Sequence, residues 1–249
     1  MRVDRRAAAL ALLALLPLAL WELLGTDLAA ARLFGTAAGF ALRSDWWLSA
    51  VLHDGVRDAA WALALLLGLN ILVPLTPALA RSERIWWFAA TLAGAAMVPL
   101  VKQQSLTSCP WDLAEFGGLA QHLPHWLQFR PFGLADGGGG HCFPSGHATS
   151  AFCFFSGSFA LARAHPRAAR RWTWGVLAAG LLLGLVQLAR GAHFPSHTLW
   201  SGWLCFSLNL VLARWLPQPA APTPAAGHAQ RLALGANVFA SDHPQRPTA

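Results

Sequence analysis

Six apolar windows, at residues 7–24, 59–76, 85–101, 147–162, 173–189 and 199–216, follow one another along the chain. A bilayer core about 30 Å thick takes roughly 17–25 residues of helix, and each window approaches that length. Hydrocarbon leaves no unpaired backbone group tolerable, so such segments are helices or the strands of closed barrels, and windows this long are helices. The expected fold is therefore all-α, an integral membrane bundle of six transmembrane helices. Composition agrees: charged residues make up 12% of the chain, whereas soluble domains carry about 25%. The first window reads as a retained span. Arg2, Arg5 and Arg6 precede it as they would a signal peptide, but Glu22 follows without a small-x-small cleavage site.

Arginines set the expected orientation. Arg2, Arg5 and Arg6, then Arg81 and Arg84, then Arg163, Arg167, Arg170 and Arg171, then Arg214 fall on alternate connections, which should be cytoplasmic. Both chain ends are then inside. Trp46, Trp47, Trp86, Trp87, Trp172, Trp174 and Trp215 lie near window ends and read as an aromatic belt in a chain without tyrosine. The expected partner is the bilayer and not nucleic acid, because the net charge of +7 is spread over these connections without a basic run interleaved with aromatics. Residues 1–216 read as one membrane domain, with its core at 55–216, and residues 217–249 as a disordered Pro/Ala-rich cytoplasmic tail. Four glycines at 137–140 lack the following Lys-Ser/Thr of a nucleotide-binding loop. Four cysteines without a C-x-x-C pair exclude a zinc ribbon or thioredoxin-type site.

Alternating spans bring distant polar residues to one face. Lys102 ends the third window, Pro144, Ser145, Gly146 and His147 open the fourth, Arg190 and His193 close the fifth, and His197 opens the sixth. Singly each has a bland reading: a snorkelling anchor, an interfacial histidine, a capped helix start. Lys102, however, is the only lysine beside seventeen arginines, and a compact ammonium suits a phosphoryl group. A helix N-terminus behind Ser145 and Gly146 aims backbone N–H groups at an anion.

Lys102 with Pro110, then Pro144-Ser145-Gly146-His147, then His193-Phe194-Pro195-Ser196 resembles the three-part signature of the type 2 phosphatidic acid phosphatase superfamily. That superfamily includes lipid phosphate phosphatases, bacterial acid phosphatases and vanadium haloperoxidases, and the resemblance spans roughly residues 55–216. It implies a helical bundle with the active site at the non-cytoplasmic ends of the core helices, in a bacterial inner membrane, with no cofactor or metal. It implies further that His193 is the nucleophile, that His147 is the general acid, and that Lys102, Ser145, the Gly146 backbone and an arginine hold the phosphoryl oxygens. The implied substrate is a phosphomonoester or diphosphate on a membrane lipid, such as phosphatidic acid, a polyprenyl diphosphate or lipid A.

Three positions depart from the family pattern. Cys109 replaces the arginine before Pro110, and Arg130-Pro131 is a candidate substitute. Gln187 stands at the arginine position six residues before the nucleophile, so Arg190, one turn on, is expected to take the role. His197 stands where the family has an aspartate that orients the nucleophile. A neutral histidine accepts a hydrogen bond but supplies no negative charge, so Asp112 or Glu115 is the expected relay acid, against the alternative that both are ordinary exposed acids.

Cys109 and Cys142 flank the catalytic segments in the outer loop and are candidates for a disulfide in an oxidising compartment, while Cys153 and Cys205 read as small apolar residues. Three rival functions stay open. One is a metal-binding membrane protein built on His53, His122, His125, His141, His147, His193 and His197, against which Pro195 disfavours a continuous helix between the last two. The others are a relative that binds lipid phosphate without cleaving it, and a lipid-to-lipid phosphotransferase.

Overall fold

The computed structural model describes residues 5–217. The tail expected over 217–249 lies, from 218 on, outside the described residues, as does Arg2. The chain begins with α1 (Arg5–Leu13) and α2 (Leu15–Leu23), joined almost in line, then the short α3 (Thr26–Ala31) and a hairpin of β1 (Gly35–Thr36) and β2 (Gly39–Phe40). A π-helical stretch, Trp47–Gly55, runs into α4 (Val56–Leu72). Next come α5 (Arg81–Lys102), a long loop with three short 3-10 turns, α6 (Gly146–Phe152), α7 (Ser156–Ala160), α8 (Pro166–Ala189) and α9 (Pro195–Leu212).

Four helical segments are long and apolar enough to cross a membrane: Arg5–Leu23, Trp47–Leu72, Arg81–Lys102 and Pro166–Ala189. The fourth and sixth windows differ in kind. The fourth is broken into α6, a 3-10 turn at Cys153–Phe155 and α7, and the sixth begins in a polar turn. Both lie inside the bundle, where α6 touches α5, α8 and α9, so neighbours satisfy polar groups that lipid could not. Thr91 Oγ1 of α5 meets Ser156 Oγ of α7 at 2.6 Å, and Ser201 Oγ of α9 donates to the Ser145 carbonyl at the start of α6 at 2.9 Å. The second window starts earlier than the expected residue 59, because Arg57 pairs with Asp54 at 3.3 Å and with Asp58 at 3.6 Å along the helix.

Small residues let the interior helices approach. A Cβ on Gly180 of α8 would overlap the ring of Phe152, one on Gly184 would overlap Thr198 of α9, and one on Gly94 of α5 would sit 3.2 Å from Cys153 Cα. The apolar core, including Leu67, Val98, Phe152, Phe155 and Cys205, fills this junction, while Leu12, Leu16, Leu65 and Leu182 stay exposed on outer faces. The aromatic belt is only partly as expected. Trp46, Trp47, Trp174 and Trp215 are exposed, but Trp86 and Trp87 are buried, and Trp172 donates to the Phe154 carbonyl at 2.6 Å. The Trp86 N–H donates to the Leu212 carbonyl at 3.0 Å, and Trp87 packs edge-on against Trp172 at 5.4 Å, so these three serve packing.

Candidate active site

The residues singled out by the motifs meet at one end of the bundle. Pro195 occupies the first turn of α9, with its missing N–H at a position that has no intrahelical partner. His193 therefore precedes the helix and His197 stands in its first turn. Upstream, α8 stops because Gly191 takes a positive φ of 75°, and Ala192 N donates back to the Gln187 carbonyl at 2.8 Å. That turn swings His193 towards α6.

Ser145, fully buried, caps α6 by accepting from Ala148 N at 3.4 Å. Its own N–H donates to the His197 carbonyl at 3.1 Å, and Ser201 Oγ reaches both the Ser145 and His197 carbonyls, at 2.9 and 2.8 Å. The second and third motifs are thus tied together through the backbone. Lys102 brings the first: its Nζ lies 3.9 Å from where a Cβ on Gly146 would be. The absence of a side chain at Gly146 leaves its backbone open beside the ammonium.

His193 Nδ1 lies 3.4 Å from His197 Nδ1 and 3.7 Å from Cys142 Sγ. With Nδ1 directed at His197, Nε2 is the nitrogen left for substrate. Burial, reinforced by Lys102 and His147, holds His193 well below the usual imidazole range, so it is neutral near pH 7. His147 points its Nε2 at the Leu52 carbonyl, 3.1 Å away, and since a carbonyl only accepts, Nε2 carries a proton. Its ring stacks on His53 at 4.4 Å and 14°. Leu52 and His53 belong to the π-helical stretch, a distortion often found at functional sites. Sequence reading gave His53 no place beyond the metal rival; its stacking partner lies 94 positions further along the chain.

Arg190 caps α8 and donates Nε to the Arg43 carbonyl at 3.2 Å and Nη1 to Gln187 Oε1 at 3.4 Å. The buried Gln187 therefore supports Arg190 through its side-chain carbonyl. Arg130 is exposed, and its backbone N–H donates to the Gln104 carbonyl at 2.9 Å, two residues beyond Lys102.

The loop acids are placed differently from expectation. Glu115 pairs with Arg32 at 2.5 Å, on the surface. Asp112 offers its backbone carbonyl to Leu119 and Ala120, and among the described residues its carboxylate makes no hydrogen bond to His193 or His197. Two carboxylates that sequence reading missed do reach this region. Asp27 accepts from Ser196 N at 3.1 Å and from the Ser196 hydroxyl, and Glu22 lies 3.5 Å from His125 Nε2. No local signal in a window 170 residues upstream marks such a partnership.

A disulfide joins Cys109 to Cys142 with Cα atoms 5.1 Å apart. It staples the loop to the segment before Pro144, and Cys142 Sγ lies 3.0 Å from the Ala192 carbonyl. Cys153 and Cys205 are free and buried. Cys142, His193 and His197 bring three donor atoms within 4.8 Å of one another, but the bridged sulfur has no thiolate to offer a metal.

No curated protein and no solved structure matches the chain. The family model described as the PAP2 superfamily matches residues 84–220, over half of the 249 residues. Lys102, Ser145, Gly146, His147 and His193 all fall inside that match and converge at one end of the bundle, and the chain belongs to the PAP2 superfamily.

Proposed function

We propose that the protein is a phosphatase acting on a phosphate ester or diphosphate of a membrane lipid, through a phosphohistidine on His193. The observation that carries this reading is the neutral, buried His193 facing Lys102 and the open Gly146 backbone, with His147 beside them. Nε2 of His193 attacks phosphorus in line, a P–N bond forms and the bond to the leaving oxygen breaks. His147, as the imidazolium with its Nε2–H kept on the Leu52 carbonyl, gives that oxygen the Nδ1 proton and becomes neutral, then takes a proton back on Nδ1 from the water that cleaves the P–N bond and releases inorganic phosphate. Lys102, Ser145, the Gly146 N–H and Arg190 balance the charge on the three equatorial oxygens. No metal enters these steps.

A lipid substrate is supported by a largely apolar cleft of about 1140 Å³ between α4, α6 and α8. Leu52, whose carbonyl meets His147, lines one part of it, with Leu63, Ala151, Phe154 and Leu183 further along. A hydrocarbon chain lying there keeps its phosphate within reach of the histidines. The reading includes six membrane crossings, with α6–α7 and α9 as interior spans, and a site on the non-cytoplasmic side of a bacterial inner membrane, as the arginine pattern requires.

The test is phosphate release from phosphatidic acid, a polyprenyl diphosphate and a soluble phosphomonoester by purified protein in chelator, with acid-stable and acid-labile phosphoenzyme measured in parallel. Release that survives chelation, prefers the lipids and disappears in His193→Ala is expected. Release that requires metal, or persists in His193→Ala, would overturn the mechanism; phosphate recovered only on an added lipid acceptor would make the protein a phosphotransferase.

A further inference from the structure

The proposed reaction leaves two carboxylates without a task, Asp27, which is buried, and Glu22, which is half-buried. Glu22 and Asp27 belong to α2 and α3, upstream of the residues that match the family, yet both bond to α9. Asp27 accepts from Trp21 Nε1 at 2.8 Å, from Ser196 N at 3.1 Å and from the Ser196 hydroxyl. Ser196 lies between His193 and His197. Glu22 accepts from Trp200 Nε1 at 2.9 Å, one turn beyond His197, and lies 3.5 Å from His125 Nε2. His125 in turn stacks on Phe143 at 3.8 Å and stands edge-on to His197 at 6.3 Å. Glu22, Asp27, His122, His125 and His197 line one cavity of about 290 Å³.

Burying a carboxylate is costly unless hydrogen bonds and nearby charge offset it. Two acids, one at the end of α2 and one at the start of α3, converging on the start of α9 beside His193 and His197, are not explained by packing, for which apolar residues would serve better. Position 197 holds the histidine that replaces the family's aspartate, so the region lacks an anion where His193 acquires imidazolium character. We propose that Glu22 and Asp27 are positioning residues for the His193–His197 pair, supplying from the N-terminal segment the negative charge that position 197 lacks, Asp27 through Ser196 and Glu22 through His125. The inference rests on the phosphohistidine reading. Burial raises the Asp27 carboxyl above its ordinary range, while the Ser196 and Trp21 hydrogen bonds and His122 act against that rise and favour the carboxylate; its charge acts over the short span behind His197, opposing Lys102, which disfavours a proton on His193 and His197.

The experiment measures phosphate release by full-length Glu22→Gln and Asp27→Asn, each in the native chain and in a His197→Asp background. Each single substitution should lower kcat about 10- to 100-fold with KM little changed. In Glu22→Gln the acid limb of the kcat profile should move to lower pH, because a histidine that has lost a neighbouring anion is harder to protonate. With an aspartate restored at position 197, the same substitutions should cost less than about twofold, the non-additivity expected of groups serving one role. Equal losses in both backgrounds, or native kcat and pH profile in the single variants, would overturn the inference. Should His197→Asp fail to fold, the Glu22→Gln profile decides alone: a shifted limb supports the role and an unmoved one refutes it. Native protein without turnover, or a His193→Ala variant with it, removes the phosphohistidine itself and this inference with it; those two controls tell the failures apart.

Discussion

The two ends of α5 handle charge in opposite ways. At its start Glu83 is buried, accepts from Ala80 N at 2.8 Å and is met by Arg163, whose guanidinium reaches over from beyond α7. At its other end Lys102 has, among the described residues, no carboxylate within ion-pair distance, and its ammonium stands beside the Gly146 backbone instead. A buried ion matched by its counter-ion holds elements together, whereas a cation left unmatched among N–H donors holds a place for an anion that arrives and leaves. One helix is thus tied by an ion pair at one end and, in the proposed reaction, offers a binding cation at the other.

That contrast sets the order of expected effects. At the catalytic end, His193→Ala should reduce phosphate release by at least about 10⁴-fold, since no other group forms the P–N bond. His147→Ala should cost about 10²- to 10⁴-fold with alkyl phosphate leaving groups and much less with p-nitrophenyl phosphate, whose leaving oxygen needs no proton. Lys102→Ala should lower kcat/KM about 10²- to 10³-fold, and Lys102→Arg should recover only part of it, because a planar guanidinium does not fit against Gly146 as an ammonium does. If Lys102→Ala lowers the melting temperature and leaves kinetics intact, the contrast between the two ends is wrong.

At the structural end the effect should be smaller and of another kind. Glu83→Ala should destabilise the protein by about 1–2 kcal/mol, a figure reduced because Arg163 is partly exposed, and leave kcat and KM unchanged. Thermal unfolding in detergent beside steady-state kinetics checks both halves. The smallest effect expected is on pH. His125 is pushed down to about 4 by burial and by His122, against an ordinary value of 6.5. Its unfolded form binds a proton first, so its contribution to stability is complete above pH 6.5 and is lost as pH falls from 6.5 through 4. His125→Phe should flatten that part of the stability profile, as measured by unfolding at pH 7 and pH 5.

Much of this was legible from local sequence. Hydropathy marked the long helices of the bundle, though not α3 or the π-helical stretch, because the cost of leaving backbone and apolar side chains unmatched is set residue by residue. Pro195 announced that His193 and His197 could not share a continuous helix, and Gly146 announced a close approach. The second window's early start was hidden because Asp54, Arg57 and Asp58 look like a loop until they pair along a helix. The disulfide was a possibility that only the proximity of Cys109 and Cys142 turned into a bond.

Sequence by itself determined the helices long and apolar enough to cross a membrane and the motif residues that meet at one end of the bundle, since these rest on local composition and on short spacings. Only the tertiary structure decided which carboxylates stand behind His197. Glu115 was near in sequence to the first motif and turned to Arg32, while Asp27, 169 positions from Ser196, closed on it. Such pairings depend on how α2 and α3 pack against α9, and packing is a property of the whole bundle that no single stretch of chain encodes.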